Sequence, residues 1–151
     1  MIEKLKKSYC CLVTLANNWL APLWDLAARA YLFRAFFYSG MISFNRFLTG
    51  EWETTVFLYT YEHPVPLLKP EIAAVVSTAA ELALPLLLLI GFASRFCAAG
   101  LLVMSLLIEF TYMHSLQHYL WMFLASSLML KGAGRFSLDS FLVKRYCKSK
   151  T

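Results

Sequence analysis

Five charged residues stand inside apolar runs of this chain, and they are where chemistry is first sought. Asp25, Arg29 and Arg34 fall in a run near 23–44, Glu81 in one near 72–90 and Glu109 in one near 96–113. A charge at the centre of a bilayer costs roughly 3 kcal/mol on insertion scales, and more when it is unpaired in lipid. Such residues are expected to face one another or a watery interior. Asp25 and Arg29 are one helical turn apart and can pair on one face. Arg34 has no acidic neighbour in its own run. If the first run crosses one way and the second returns, Arg34 and Glu81 reach similar depth, and a buried ion pair between them is expected. Such a pair either ties two helices together or holds a polar headgroup and relays protons. Pro85 lies four residues after Glu81 and removes the amide that would bond the Glu81 carbonyl, placing a polar spot and a kink on one turn.

A second group gathers toward the opposite ends of the runs. It comprises Glu109, Tyr112, His114 and His118, with Tyr61, Glu62 and His63 in the preceding loop. His114 and His118 share a face if that stretch is helical, the spacing a metal would need. No third ligand comes at a diagnostic distance, so they remain weak metal candidates, and hydrogen-bonding histidines or proton exchange are the competing readings. The residues carried forward as candidate ligand contacts are Arg34, Glu81, Glu109, His118, Trp121 and Tyr61. No nucleophile with its base, phosphate loop or nucleotide fingerprint stands out.

The elements that must position these groups are four apolar spans, near 23–44, 72–90, 96–113 and 116–130. Hydrophobic residues make up 60% of the 151 and charged residues 15%, against about 45–50% and 25% in soluble domains. The fold expected is all-α: a four-helix membrane bundle with a short N-terminal interfacial helix and a re-entrant or helical outer loop between the first two spans. In domain terms, residues 1–21 form the interfacial segment, 22–131 the membrane domain and 132–151 a basic tail. The fourth span is the shortest, and tilt or local thinning would have to complete it. Between the first two spans, Thr54 and Thr55 can open a short helix, and Pro64, Pro66 and Pro70 are expected to stop it.

The net charge of +5 does not read as nucleic-acid binding, because its distribution follows the spans. Ten lysines and arginines flank one side and only Arg46 and Lys69 the other. That asymmetry predicts both termini on the cytoplasmic face of a plasma membrane, with membrane lipids meeting the basic tail. The cysteines, Cys10, Cys11, Cys97 and Cys147, then lie on the reducing side with no C-x-x-C among them, which disfavours thiol–disulfide exchange.

Several stretches, taken in order, resemble the DoxX family of four-span bacterial membrane proteins. They are Arg34-Ala-Phe-Phe-Tyr-Ser-Gly40, Trp52-Glu-Thr-Thr, Val65-Pro-Leu-Leu-Lys-Pro-Glu71 and Thr78-Ala-Ala-Glu81-Leu-Ala-Leu-Pro85. Gly91-Phe-Ala-Ser-Arg95-Phe follows, then Gln117-His118 with Trp121, and finally Gly132-Ala-Gly-Arg-Phe-Ser-Leu-Asp139. The resemblance covers about residues 31–142. It departs at Ser43, where many relatives carry a lysine, and at Gly-Ala-Gly in place of Gly-Pro-Gly. It implies a subunit linked to quinone oxidoreductases, associated in some relatives with redox-stress proteins and in others with metal stress. Two functions follow as expectations. One is a redox-associated subunit binding a quinone or similar small molecule in a polar intramembrane cavity, drawing electrons from a redox or stress partner. The other is a non-catalytic adaptor or small-solute carrier in an envelope or metal stress pathway, docking partners through the outer loop or tail.

Overall fold

A computed structural model describes residues 2–62, 64–65, 68–111, 115–132 and 134–147. The described residues contain seven α-helices, two wide π-turns and no strand. Helix α1 (Ile2–Leu15) runs through a π-turn at Ala16–Leu20 into the long α2 (Ala21–Thr49), where Pro22 takes the first-turn position that tolerates a missing amide. Gly50, at φ +82°, ends α2 in the left-handed conformation that a side chain would resist. A short α3 (Trp52–Phe57) and a second π-turn (Leu58–Glu62) follow, so the outer segment is helical up to Glu62. Pro70 does not stop that segment; it opens α4 (Pro70–Ile90). Then come α5 (Ser94–Thr111), α6 (Leu116–Lys131) and α7 (Leu138–Cys147).

Helices α2, α4, α5 and α6 form a four-helix bundle in which each packs on two neighbours in a ring. At 29, 21, 18 and 16 residues, they are about 43, 31, 27 and 24 Å long. Helices α4 and α5 are long and apolar enough to cross a membrane. The end of the bundle that carries α1 and α7 is called the near end below, and the end covered by α3 the far end.

The apolar core fills the near half. Ala28, Leu32 and Phe36 of α2 meet Leu88 of α4, Ala98 and Leu101 of α5, and Leu124, Ala125 and Leu128 of α6. At mid-bundle, α2 and α4 come into backbone contact at Gly40, where an added Cβ would lie 2.9 Å from the Cβ of Glu81. Small residues allow such an approach, and close packing rather than a hydrophobic drive holds helices together in lipid.

The near end is closed by a latch of polar contacts. Arg29, fully buried, donates to the carbonyls of Phe136 (2.8 Å), Leu89 (3.3 Å) and Asp25 (3.4 Å). The tie expected between Arg29 and Asp25 thus reaches the Asp25 carbonyl, while the guanidinium's other bonds cap the end of α4 and the start of the tail. Asp139 accepts from Ala93 N (2.9 Å), Ser94 N (2.9 Å) and Ser94 Oγ (2.7 Å), capping the N-terminus of α5 from a distant helix. Burial raises the affinity of its carboxyl for a proton, but these hydrogen bonds outweigh that and hold its pKa below the usual value. At Gly91, a Cβ would meet Ser137 Cβ at 2.6 Å and Arg29 Nη1 at 2.8 Å, so only glycine fits there.

Candidate functional site

The polar interior of the bundle lies in its far half, between α2, α4 and α5. Glu81, 6% exposed, faces a cavity of about 140 Å³. Ser39 and Ser43 of α2, Ser77 and Glu81 of α4 and Thr111 of α5 supply its polar groups. Met104, Leu107 and Ile108 form an apolar wall, and Leu58, Tyr59, Pro64 and Val65 cover the far side. Ser77 and Glu81 share the cavity because residues four apart on a helix stand one above the other. Pro85, on that same face and buried, stands one turn below the carboxyl and offers no amide to the Glu81 carbonyl.

Two polar pairs run inward from the cover. Tyr59 hydrogen-bonds with the Ser77 hydroxyl and feels the charge of Glu81. Burial first, and that neighbouring charge second, push the Tyr59 phenol up to about 12, so it is a neutral hydrogen-bonding group at physiological pH. One turn deeper, the Ser39 hydroxyl hydrogen-bonds with the Glu81 carboxyl. Hydroxyls and a carboxyl therefore extend from the far-end cover to mid-bundle. Beyond them lie Phe36, Leu32, Leu88 and Leu101 of the core, so the cavity backs onto packed apolar side chains.

The ion pair expected between Arg34 and Glu81 is not formed. Arg34 is exposed on the outer face of α2 and, among the described residues, has no hydrogen-bond or ion-pair partner. The buried cation of α2 is Arg29, which serves the near-end latch. Arg34 follows Arg29 by five residues, about 140° around the helix, and so points away from the face that carries Leu32, Phe36 and Gly40. Gly40, not Arg34, is level with Glu81.

Glu109 and His118 do come together, but outside the cavity. Their Oε2 and Nδ1 atoms are 2.9 Å apart between α5 and α6. The Ser115 amide approaches the same oxygen at 3.4 Å, and Tyr119 also hydrogen-bonds Glu109. The His118 ring lies 5.2 Å from that of Trp121, which in turn lies 5.1 Å from Phe36. The Trp121 indole nitrogen is buried without a hydrogen-bond partner among the described residues. Tyr61 is exposed and packs against Phe57 (4.7 Å between centroids), away from the cavity. His63, Tyr112 and His114 lie outside the described residues. Among those described, no group of three metal-ligating side chains occurs.

Sequence reading thus placed Glu81 in a polar interior and missed Tyr59, Ser39 and Thr111, the groups around it. The signal for Tyr59 was available only in part. Tyr59 and Tyr61 are two apart, and nothing in the sequence announces the π-turn that turns the first of them inward.

The family model described as DoxX matches residues 24–114. No curated protein and no solved structure matches the chain.

Proposed function

Since the chain belongs to the DoxX family, we propose that it is a four-span plasma-membrane protein whose far-half cavity binds the ring of a small neutral redox molecule, a quinone headgroup. The observation that carries this reading is Glu81: a buried carboxyl in a hydroxyl-lined cavity that, among the described residues, no cationic side chain lines. An anionic ligand would meet uncompensated repulsion there, whereas a neutral ring with polar oxygens would find partners. The size agrees, because a cavity of roughly 150 Å³ takes one benzene-sized ring. Met104, Leu107 and Ile108 would pack on its face, with Glu81 and Ser77 at its edge. A quinone, when bound, supplies two-electron, two-proton redox chemistry. The residues here would handle the proton side. Glu81 exchanges a proton at the ligand oxygen, and Ser77 with Tyr59 connects it toward the far surface. Electrons would come from a partner protein. The apolar half beneath the cavity supports binding rather than passage of a solute across the bundle.

The orientation proposed sets the near end toward the cytoplasm. Among the described residues, Arg95, Lys131, Arg135, Lys144 and Arg145 belong to that end, and only Arg46 and Lys69 to the far end.

The test is to purify the full chain in native-lipid particles and quantify quinone per chain by mass spectrometry. Wild type should retain about one, and both Glu81→Gln and the cavity-filling Ser77→Leu should lose most of it. Equal retention in wild type and Glu81→Gln would sink the assignment.

One observation favours the adaptor reading as a second role. Phe57 and Tyr61 form an exposed aromatic pair on the far-end cover, a surface suited to a partner protein. Unchanged partner recovery from native membranes with Phe57→Ser/Tyr61→Ser would count against it.

A further inference from the structure

The outward stripe of α2 carries side chains that hydrocarbon does not favour. Trp24, Ala27, Tyr31, Arg34 and Tyr38 recur at helical spacing, and all are exposed. Arg34 is the difficulty among them, since its charge has no partner among the described residues.

Depth shows where that charge goes. Glu81 is midway along α4, and Gly40 packs against it. Arg34 lies six residues toward the near end, about 9 Å along the axis. With about 15 Å of hydrocarbon in each leaflet, its backbone sits roughly 6 Å inside the near boundary. Helical side chains lean toward their helix N-terminus, and the N-terminus of α2 is at the near end. The guanidinium therefore extends toward the near headgroups, within the reach of a snorkelling arginine.

A groove waits on that side. About 830 Å³ in volume, it lies between the π-turn at Ala16–Leu20, the first turns of α2 and the end of α6. Trp24 and Ala27 line it and belong to the Arg34 stripe, so groove and guanidinium open in the same direction. Lys131 enters from α6, and Asn17 from the π-turn. Asp25 also reaches the groove, and the buried Arg29 one turn away on its own helix bonds its backbone carbonyl.

We infer that this groove is a binding site for one anionic phospholipid of the near leaflet. Its phosphodiester lies between Lys131 and Arg34, and its headgroup lies against Asn17 and Trp24. One acyl chain follows the stripe past Tyr31 and Tyr38. A second copy of the chain fits this face poorly, because a two-fold axis between parallel α2 helices would set Arg34 against its own counterpart.

The test uses the full chain transferred from lipid into mild detergent and examined by native mass spectrometry, with phosphatidylglycerol and phosphatidylcholine as probes. Wild type should retain one phosphatidylglycerol and no phosphatidylcholine. Arg34→Gln and Lys131→Gln should each weaken retention about fivefold, and the double variant about 25-fold. Arg46→Gln, at the far end, should change nothing. A photoreactive phosphatidylglycerol on wild-type protein should label the segment from Asn17 to Tyr31, a readout independent of how the variants fold. Equal retention of the two lipids, wild-type retention in the double variant, or labelling confined to α7 would overturn the site. So would the loss of a bound protein subunit, rather than a lipid, from Arg34→Gln.

Discussion

Replacing Arg29 by methionine should destabilise the bundle strongly, and replacing Arg34 in the same way should not. Methionine keeps the length and apolar stem of the side chain and removes its charge and donors. In Arg29→Met, the Phe136 carbonyl loses a 2.8 Å charged hydrogen bond. Such bonds contribute about 1.5–3 kcal/mol. The contacts to Leu89 and Asp25, at 3.3 and 3.4 Å, are at the edge of hydrogen-bond range and add less. Against this, the variant no longer buries a charge. The balance is a loss of about 2 kcal/mol, within the roughly 1–3 kcal/mol that an unsatisfied buried acceptor costs. For a chain of this length that corresponds to a fall in Tm of about 6 °C. The assay is thermal unfolding in a neutral detergent, followed by intrinsic fluorescence of the four tryptophans. Arg34→Met, exposed and unpartnered, should move Tm by less than about 2 °C under the same conditions. Equal shifts in the two variants, or a larger one for Arg34→Met, would refute the assignment of the buried guanidinium to the near-end latch.

Other outcomes follow from the same contacts. Gly40→Ala should cost about 1–3 kcal/mol, because its Cβ would meet Glu81 Cβ at 2.9 Å, and it should show as a lower Tm. His118→Ala removes one of the hydrogen-bond partners of the buried Glu109, at 2.9 Å, and should cost about 1–3 kcal/mol. It should leave ligand retention in the Glu81 cavity unchanged, as measured by bound quinone per chain, because Glu109 is not among the cavity's lining residues. The Asp139 carboxyl has a folded pKa below its unfolded value near 4, so its stabilisation is complete above that value and is lost as pH falls through the folded one. Protection of the Ala93 and Ser94 amides, relative to their intrinsic exchange rates, should accordingly fall as pH drops below about 4, and Asp139→Ala should abolish that dependence. An impermeant maleimide applied to intact cells should leave the exposed near-end Cys10 and Cys11 unmodified and should label Thr60→Cys.

The helices were legible from the sequence because their boundaries rest on local chemistry. Pro22 supplies a helix start, and Gly91 and Gly132 supply stops. Each acts within one turn of itself. Which face of α2 turns inward was not legible, because apolar residues surround that helix on every side and no stripe stands out by hydrophobicity. Arg34 was assigned inward by counting depth from the start of the apolar run, whereas rotation about the axis decides burial, and by rotation the inward cation is Arg29. The small-residue contact at Gly40 marked the inward face but carried no chemical signal of its own. Glu81 was recoverable because a carboxylate in an apolar run has few places to go. Its companions were not, since serine, threonine and tyrosine are ordinary residues until the fold brings them to one cavity.

The latch also sets an order of events for the ribosome. Arg29 and the Phe136 carbonyl are 107 residues apart, and a ribosome adds roughly 5–20 residues per second. For about 5–20 s, therefore, the guanidinium of a nascent first helix has no final acceptor, and the amides opening α5 wait similarly for Asp139. A segment made late thus fastens one made early. A nascent chain stalled before Gly134 would hold all four bundle helices with an open near end, its Arg29 guanidinium left with the longer contacts to Leu89 and Asp25. Synthesis past Asp139 supplies both fasteners and closes that end.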